Sequence, residues 1–128
     1  MKVLLDTRLL LWTAIRPSRL PRSARSVIDS TDNDLFFSVV SVWEVSIKRG
    51  LGRPDFLVDP AVIRRGLLEN GYHELTITAH HAIAAGLLPH IHRDPFDRLL
   101  VAQASIEAIT LLTADPIVAR YPGPIRAV

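Results

Sequence analysis

The chain has 128 residues, 48% of them hydrophobic, and a formal net charge of +2. That size and apolar content fit a single domain over residues 1–128, and so small an excess of cations does not by itself mark a nucleic-acid binder. No cysteine is present, which excludes disulfides, thiolate nucleophiles and thiolate metal sites together and fits a reducing compartment.

Lys2 to Leu5 is an apolar run suited to a buried strand, and Asp6-Thr7 caps the helix that Leu9, Leu10, Trp12 and Thr13 continue. That opening starts like a signal peptide, but Asp6 and Arg8 interrupt it and no small-residue cleavage site follows. Pro17 and Pro21 punctuate the next connection, and Pro21 stands first in a second helix through Val27 and Ile28. After the polar turn Thr31 to Asp34, Leu35 to Val40 reads as a second strand, followed from Ser41 by a helix ending near Gly50 or Gly52. Pro60 to Asn70 is helical and closed by Gly71, and His73 to Ile77 is a third strand. Thr78 to Leu88 and Pro95 to Ala108 are helices, with Ile109 to Leu112 the fourth strand. Asp115-Pro116 opens a last short helix, and Ile125 to Val128 is a candidate edge strand. This alternation predicts a three-layer α/β/α domain with a mostly parallel central sheet of four or five strands. No stretch is long enough to span a bilayer, so the expectation is a soluble, cytoplasmic protein without membrane contact.

Asp6, Glu44, Asp97 and Asp115 each fall where a predicted strand ends or a helix begins. In a parallel sheet those ends share one edge, so carboxylates distant in sequence converge. At ~5 Å and an effective dielectric of ~20, two carboxylates repel by roughly 3 kcal/mol, and three together cost on the order of 10 kcal/mol. Such a cluster requires a cation. An all-oxygen pocket suits Mg2+ or Mn2+ better than zinc or copper, and metal-assisted phosphodiester hydrolysis follows from it. Each acid also has a structural reading. Asp6, Asp94 and Asp115 can cap helices, the latter two followed directly by Pro, and Ser41-x-x-Glu44 fits a capping box. Asp94-x-x-Asp97 is more telling: if Asp94 is the cap, Asp97 is spare.

His80-His81 and His90-x-His92 near Asp94 raise a zinc site, but adjacent helical histidines diverge and His90 to Arg93 reads as a solvated loop. Trp12 and Trp43 lie on apolar helix faces and read as core. Thirteen of the fifteen cations are Arg, a bias that favours a phosphate-bearing partner and that codon usage explains equally well. Arg16, Arg19, Arg22 and Arg25 recur every three residues, lining an RNA groove or forming one solvated face. Neither G-x-x-x-x-G-K nor G-x-G-x-x-G occurs, which removes the nucleotide-binding readings.

In order along the chain, Leu4-Leu-Asp-Thr7, Ser38-Val-Val-Ser-Val-Trp-Glu44, Arg93-Asp-Pro-Phe-Asp-Arg-Leu-Leu100 with Ala102-Gln-Ala104, and Leu112-Thr-Ala-Asp115 resemble a PIN-domain ribonuclease toxin of the VapC type. The resemblance spans essentially the whole chain. It implies a PIN-like fold and a Mg2+- or Mn2+-dependent endoribonuclease that cuts RNA, often tRNA or ribosomal RNA, to halt translation. It also implies a cognate antitoxin, as in a type II toxin-antitoxin system, and a homodimer. Asp6, Glu44 and Asp97 match the metal-binding acids of such proteins and Asp115 a more variable fourth. Thr7 and Thr113 match hydroxyls beside the site, and Asp94 an acid of structural or outer-shell role. Arg8 departs from the usual His or Asn at that position, where it can grip substrate phosphate or replace part of the metal's charge.

The expected mechanism has Asp6, Asp97 and Asp115 ligating the metal, Glu44 acting through water, and Arg8, Arg93 or Arg98 orienting the RNA backbone. Replacing Asp6 or Asp97 is expected to leave the fold intact, because like-charge repulsion is relieved. A phosphoacceptor module would need a Lys after a late strand, and the only lysines are Lys2 and Lys48. A catalytically silent PIN-like binding module is the other reading. The apolar helices Thr7 to Ile15 and Val42 to Leu51 serve either as core or as a dimer face.

Overall fold

In the computed structural model, which describes residues 1–128, β1 (Lys2–Leu5) is the middle strand of a five-stranded sheet. Its neighbours are β2 (Asp34–Ser38) and β4 (Thr110–Thr113), flanked by β3 (His73–Leu75) and β5 (Ile125–Ala127) in the order β3-β2-β1-β4-β5. All four pairings are parallel, with Leu4 opposite Phe36 and Leu5 opposite Leu112. The helices are α1 (Thr7–Ile15), α2 (Arg22–Asp29), α3 (Val39–Gly50), α4 (Pro60–Glu69), α5 (Ala79–Leu87) and α6 (Pro95–Glu107).

Val3, Leu4 and Leu5 are all fully buried, because a parallel sheet is covered on both faces and its central strand reads as a continuous apolar run. Alternation of side chains divides them. Val3 and Leu5 join Phe37 and Leu112 against Leu9 and Leu10 of α1, Ala24 and Val27 of α2 and Leu67 of α4. Leu4 joins Leu111 against Leu100, Val101 and Ala104 of α6. Helices on either side of the sheet make three layers. No helix is long and apolar enough to cross a membrane.

Several boundaries differ from expectation for local reasons. The second strand stops at Ser38, whose hydroxyl accepts the Val40 amide at 3.0 Å and so caps α3 three residues before Ser41. The capping box at Ser41 and Glu44 is therefore overturned: Ser41 lies inside the helix, with its hydroxyl 2.9 Å from that of Thr7. The third strand ends at Leu75, and the short helix expected after Asp115 is a 3-10 turn, Val118–Arg120. Trp43 is half exposed, edge-on to Phe96 with ring centroids 5.0 Å apart, rather than core. Trp12 does pack against the core.

Gln103 of α6 fixes how α6 sits on the rest. Its amide is fully buried, accepting from the Ser38 hydroxyl at 2.6 Å and donating to the Thr76 carbonyl at 3.2 Å. One side chain thus joins α6 to the end of β2 and to the segment after β3. Gln103→Leu leaves both partners unsatisfied and should cost about 1–3 kcal/mol, measurable as a lowered denaturation midpoint; an unchanged midpoint would refute this role.

Candidate functional site

β1 is the branch point of the sheet: the chain leaves it toward β2 and β3 on one side and fills β4 and β5 on the other. The crevice beyond the carboxyl ends of β1 and β4 is where a parallel α/β sheet offers a site. Asp6 occupies it. Its Oδ1 accepts the Leu9 amide at 2.8 Å, capping α1, while Oδ2 accepts the Thr113 hydroxyl at 2.7 Å and the Ala114 amide at 3.2 Å. Burial raises its pKa, against these three hydrogen bonds and the nearby charge of Arg8.

Asp94 caps α6 by accepting the Phe96 amide at 2.9 Å, which leaves Asp97 in the first turn without a capping duty. Burial pushes the Asp97 carboxyl up to about 7, with the charges of Asp94, Glu44 and Asp6 acting in the same direction and His92 against them. Glu44 is buried in α3. One oxygen pairs with Lys48, one turn later on the same helix, and the other, Oε1, has no hydrogen-bond partner. Asp115 follows β4. Burial works to raise its carboxyl, but hydrogen bonds from the Ile117 amide and His92 leave it below the usual carboxylate range.

The fold thus brings Asp97 and Asp115 together with His92, a ring nitrogen and one oxygen of each acid within 4.8 Å of one another, while Glu44 and Asp6 lie outside that trio and bear on Asp97 through their charges. The family described as PIN domain matches residues 3–124. The chain belongs to the PIN-domain family. No curated protein matches it. Among solved structures, a chain of VapBC2 from Rickettsia felis, bound to a DNA fragment from its promoter, is similar with a TM-score of 0.74 at 15% identity, covering 100% of this chain and 99% of that one. A chain of VapBC-1 from nontypeable Haemophilus influenzae gives 0.60 at 17% identity, covering 99% and 98%.

Two residues of this PIN domain's acidic cluster escape the sequence reading. Lys48 pairs with Glu44 and stands 3.8 Å from Asp94 Oδ2; the Glu-to-Lys spacing of four on a helix was the available signal. His92 lies 3.3 Å from Asp97 and 3.1 Å from Asp115 through Nε2, so the stretch His90 to Arg93 is not simply a solvated loop. His92 Nδ1 accepts the Asp94 amide at 3.1 Å, which leaves the ring proton on Nε2 and makes His92 a donor to Asp115, with Asp97 close by, rather than a bare zinc ligand. His81 is buried in a capping box with Thr78 and contacts Glu107 at 2.9 Å, well apart from this duty. The Arg98 guanidinium donates to the carbonyls of Ala85, Leu88 and Pro89, so it fastens the loop that carries His92 instead of facing substrate. Arg8 and Arg93 are exposed and form no ion pair.

The expectation that loss of either acid spares the fold holds for only one of them on this geometry. Asp6→Ala removes a helix cap and strands the Thr113 and Ala114 donors, and should cost about 1–3 kcal/mol. Asp97→Asn, which makes no cap, should leave the metal-free protein at least as stable by denaturant titration; equal losses for the two variants would contradict the assignment.

Asp97 also sets a pH dependence. Its folded pKa of about 7 lies above the ordinary 3.8, so the folded state holds the proton more tightly than the unfolded chain. Stability of the metal-free protein should therefore fall as pH rises from about 4 to about 7. Thermal melts in chelator should show a higher Tm at pH 5 than at pH 8 for the wild type, with the difference reduced in Asp97→Asn.

Proposed function

We propose that this PIN domain is a metal-dependent endoribonuclease of the VapC type, the toxin half of a toxin-antitoxin pair. The observation that carries the reading is an acidic cluster short of positive charge. Glu44 Oε1 is buried without a partner, and Asp97 is pushed up to about 7, burial coming first and neighbouring acids adding to it. A hard divalent ion fits this set, because the free donors are carboxylate oxygens. Asp97 and Asp115, with one oxygen each already within 4.8 Å of the other, would hold it, and the free oxygen of Glu44 would have to move in to join them. Asp6, with both oxygens already accepting hydrogen bonds, would add its negative charge beside the ion. When bound, Mg2+ or Mn2+ supplies charge stabilisation at the scissile phosphate and eases deprotonation of an attacking water.

The protein's own groups do the positioning. Thr113 holds Asp6, the Asp94 amide orients His92, and His92 holds Asp97 and Asp115 together. Thr7 reaches the Ser41 hydroxyl of α3, bracing the helix that carries Glu44. Lys48 offsets one of the charges on Glu44 and Asp94. The similar chains come from VapBC complexes, which supports an antitoxin partner here. Half-exposed Trp43, Ile47 and Leu51 along α3 offer an apolar strip for the homodimer or for that partner.

Purified protein should cleave RNA with Mg2+ or Mn2+ and not in chelator. Asp97→Asn and Glu44→Gln should each lower the rate by more than about 100-fold, beyond the 10–100-fold usual for groups outside the coordination sphere. Sequencing RNA ends after expression of wild type and of Asp97→Asn would identify the target. Cleavage that persists in either variant or in chelator would refute the metal-centred assignment, whereas no cleavage by the wild type with either ion would leave the catalytically silent binding module as the better reading.

A further inference from the structure

Beside the acidic cluster, a groove of about 540 Å3 runs between α1 and the segment around the 3-10 turn Pro54–Phe56. Its walls carry Arg8, Arg16 and Arg19 together with Trp12 and Phe56, against a single acid, Asp55. All three arginines are exposed, and none donates a side-chain hydrogen bond or forms an ion pair within the chain. Arg64 with Glu74, Arg49 with Asp59, and Arg98 with backbone carbonyls are paired; what sets the groove apart is that three unpaired arginines line one concavity.

The groove is joined to the cluster at two points. Arg8 lies two residues after Asp6, and its charge bears on that carboxylate. Lys48 Nζ, paired with Glu44, stands 4.8 Å over the Phe56 ring. We propose that this groove is the path by which single-stranded RNA reaches the acidic cluster, with guanidinium groups on its phosphates and Trp12 and Phe56 against its bases. The assignment rests on the ribonuclease reading and extends it to the substrate's bound form.

The charge pattern favours this occupant. A strand with one phosphate at the cluster must place its neighbouring phosphates alongside, where the carboxylates repel them unless cations flank the site. Unpaired guanidinium groups supply those cations and grip phosphate bidentately. Trp12 and Phe56, both partly exposed in the groove wall, suit the sequence-tolerant stacking by which single strands are held. The adjoining cleft, lined by Ile28, Leu35, Val62, Ile63 and Tyr72, is apolar and offers no comparable charge.

The protein has two tryptophans, so Trp43→Phe leaves Trp12 as sole reporter. In the full chain carrying Trp43→Phe and Asp97→Asn, with Mg2+ present, a labelled oligouridylate should bind by fluorescence anisotropy and quench Trp12. Adding Arg16→Ala and Arg19→Ala should weaken binding about tenfold and make the slope of log K against log salt less negative by about 1.4, from about 0.7 per single-strand phosphate contact. With Asp97 intact, Mn2+ affinity by calorimetry should not change on Arg16→Ala and Arg19→Ala, and exposure of both arginines keeps the fold intact by circular dichroism. Unchanged affinity and slope, or a Trp12 signal indifferent to RNA, would overturn the proposal. Tighter binding of a polyglutamate peptide than of the oligonucleotide, lost in the same variant, would also overturn it and assign the groove to a protein partner. Oligonucleotide binding with the expected losses in a protein that cleaves no RNA would uphold the groove while sinking the catalytic reading.

Discussion

Two oxygens of Asp6 receive three donors, one from the first turn of α1 and two from the end of β4, and this clamp defines the edge of the sheet at which the other acids gather. It joins the central strand to the helix that follows it and to the strand beside it, across the place where the chain's winding reverses. Because the donors come from fixed backbone and from a fully buried hydroxyl, the carboxylate has little freedom to swing. The remaining acids are placed relative to that fixed point: Glu44 through α3, which starts where β2 stops, and Asp97 through α6, which Gln103 ties to the same strand end.

Gathering these acids is electrostatically unfavourable, and the fold offsets the cost only in part. Lys48 serves Glu44 and Asp94, and His92 donates to Asp115 with Asp97 3.3 Å away. Those contacts leave Glu44 Oε1 without a partner and Asp97 with a strongly raised affinity for a proton. Complete internal neutralisation would leave no reason for a metal, and an absence of internal cations would destabilise the protein whenever metal was scarce. The arrangement found lies between these limits, and is the physical basis for reading the cluster as a metal centre.

The same sign problem recurs outside the cluster. A polyanion approaching several carboxylates needs positive charge nearby, and the unpaired arginines of the adjoining groove provide it while the net charge of the whole chain stays near neutral. Distribution, more than total, decides what such a protein binds. Arg98 shows the converse: its guanidinium holds the loop before α6 in place, so arginine content alone overstates the number available to a substrate.

The layered architecture and the parallel sheet were legible in the sequence, because an apolar run such as Val3 to Leu5 requires cover on both faces and the helical segments between strands supply it. That Asp6 and Asp115 follow neighbouring parallel strands was legible for the same reason, since such strands bring their ends to a common edge whatever their separation along the chain; how closely the four acids approach one another was not. Local hydrogen bonding that competes with equally good local alternatives was not. Ser38 and Ser41 are both plausible caps, and only the buried Gln103 amide beside Ser38 decides between them. The Glu44–Lys48 spacing of four signalled that pair, but Lys48's second partner, Asp94, and His92's partners, Asp97 and Asp115, lie on other segments and were beyond reach. The amino-acid order determined which strands and helices exist and which carboxylates share an edge, through periodicity and chain direction. Which cations answer those carboxylates, and how incompletely, was decided only by packing, since side-chain charges interact over a few ångströms of space and not over positions in a sequence.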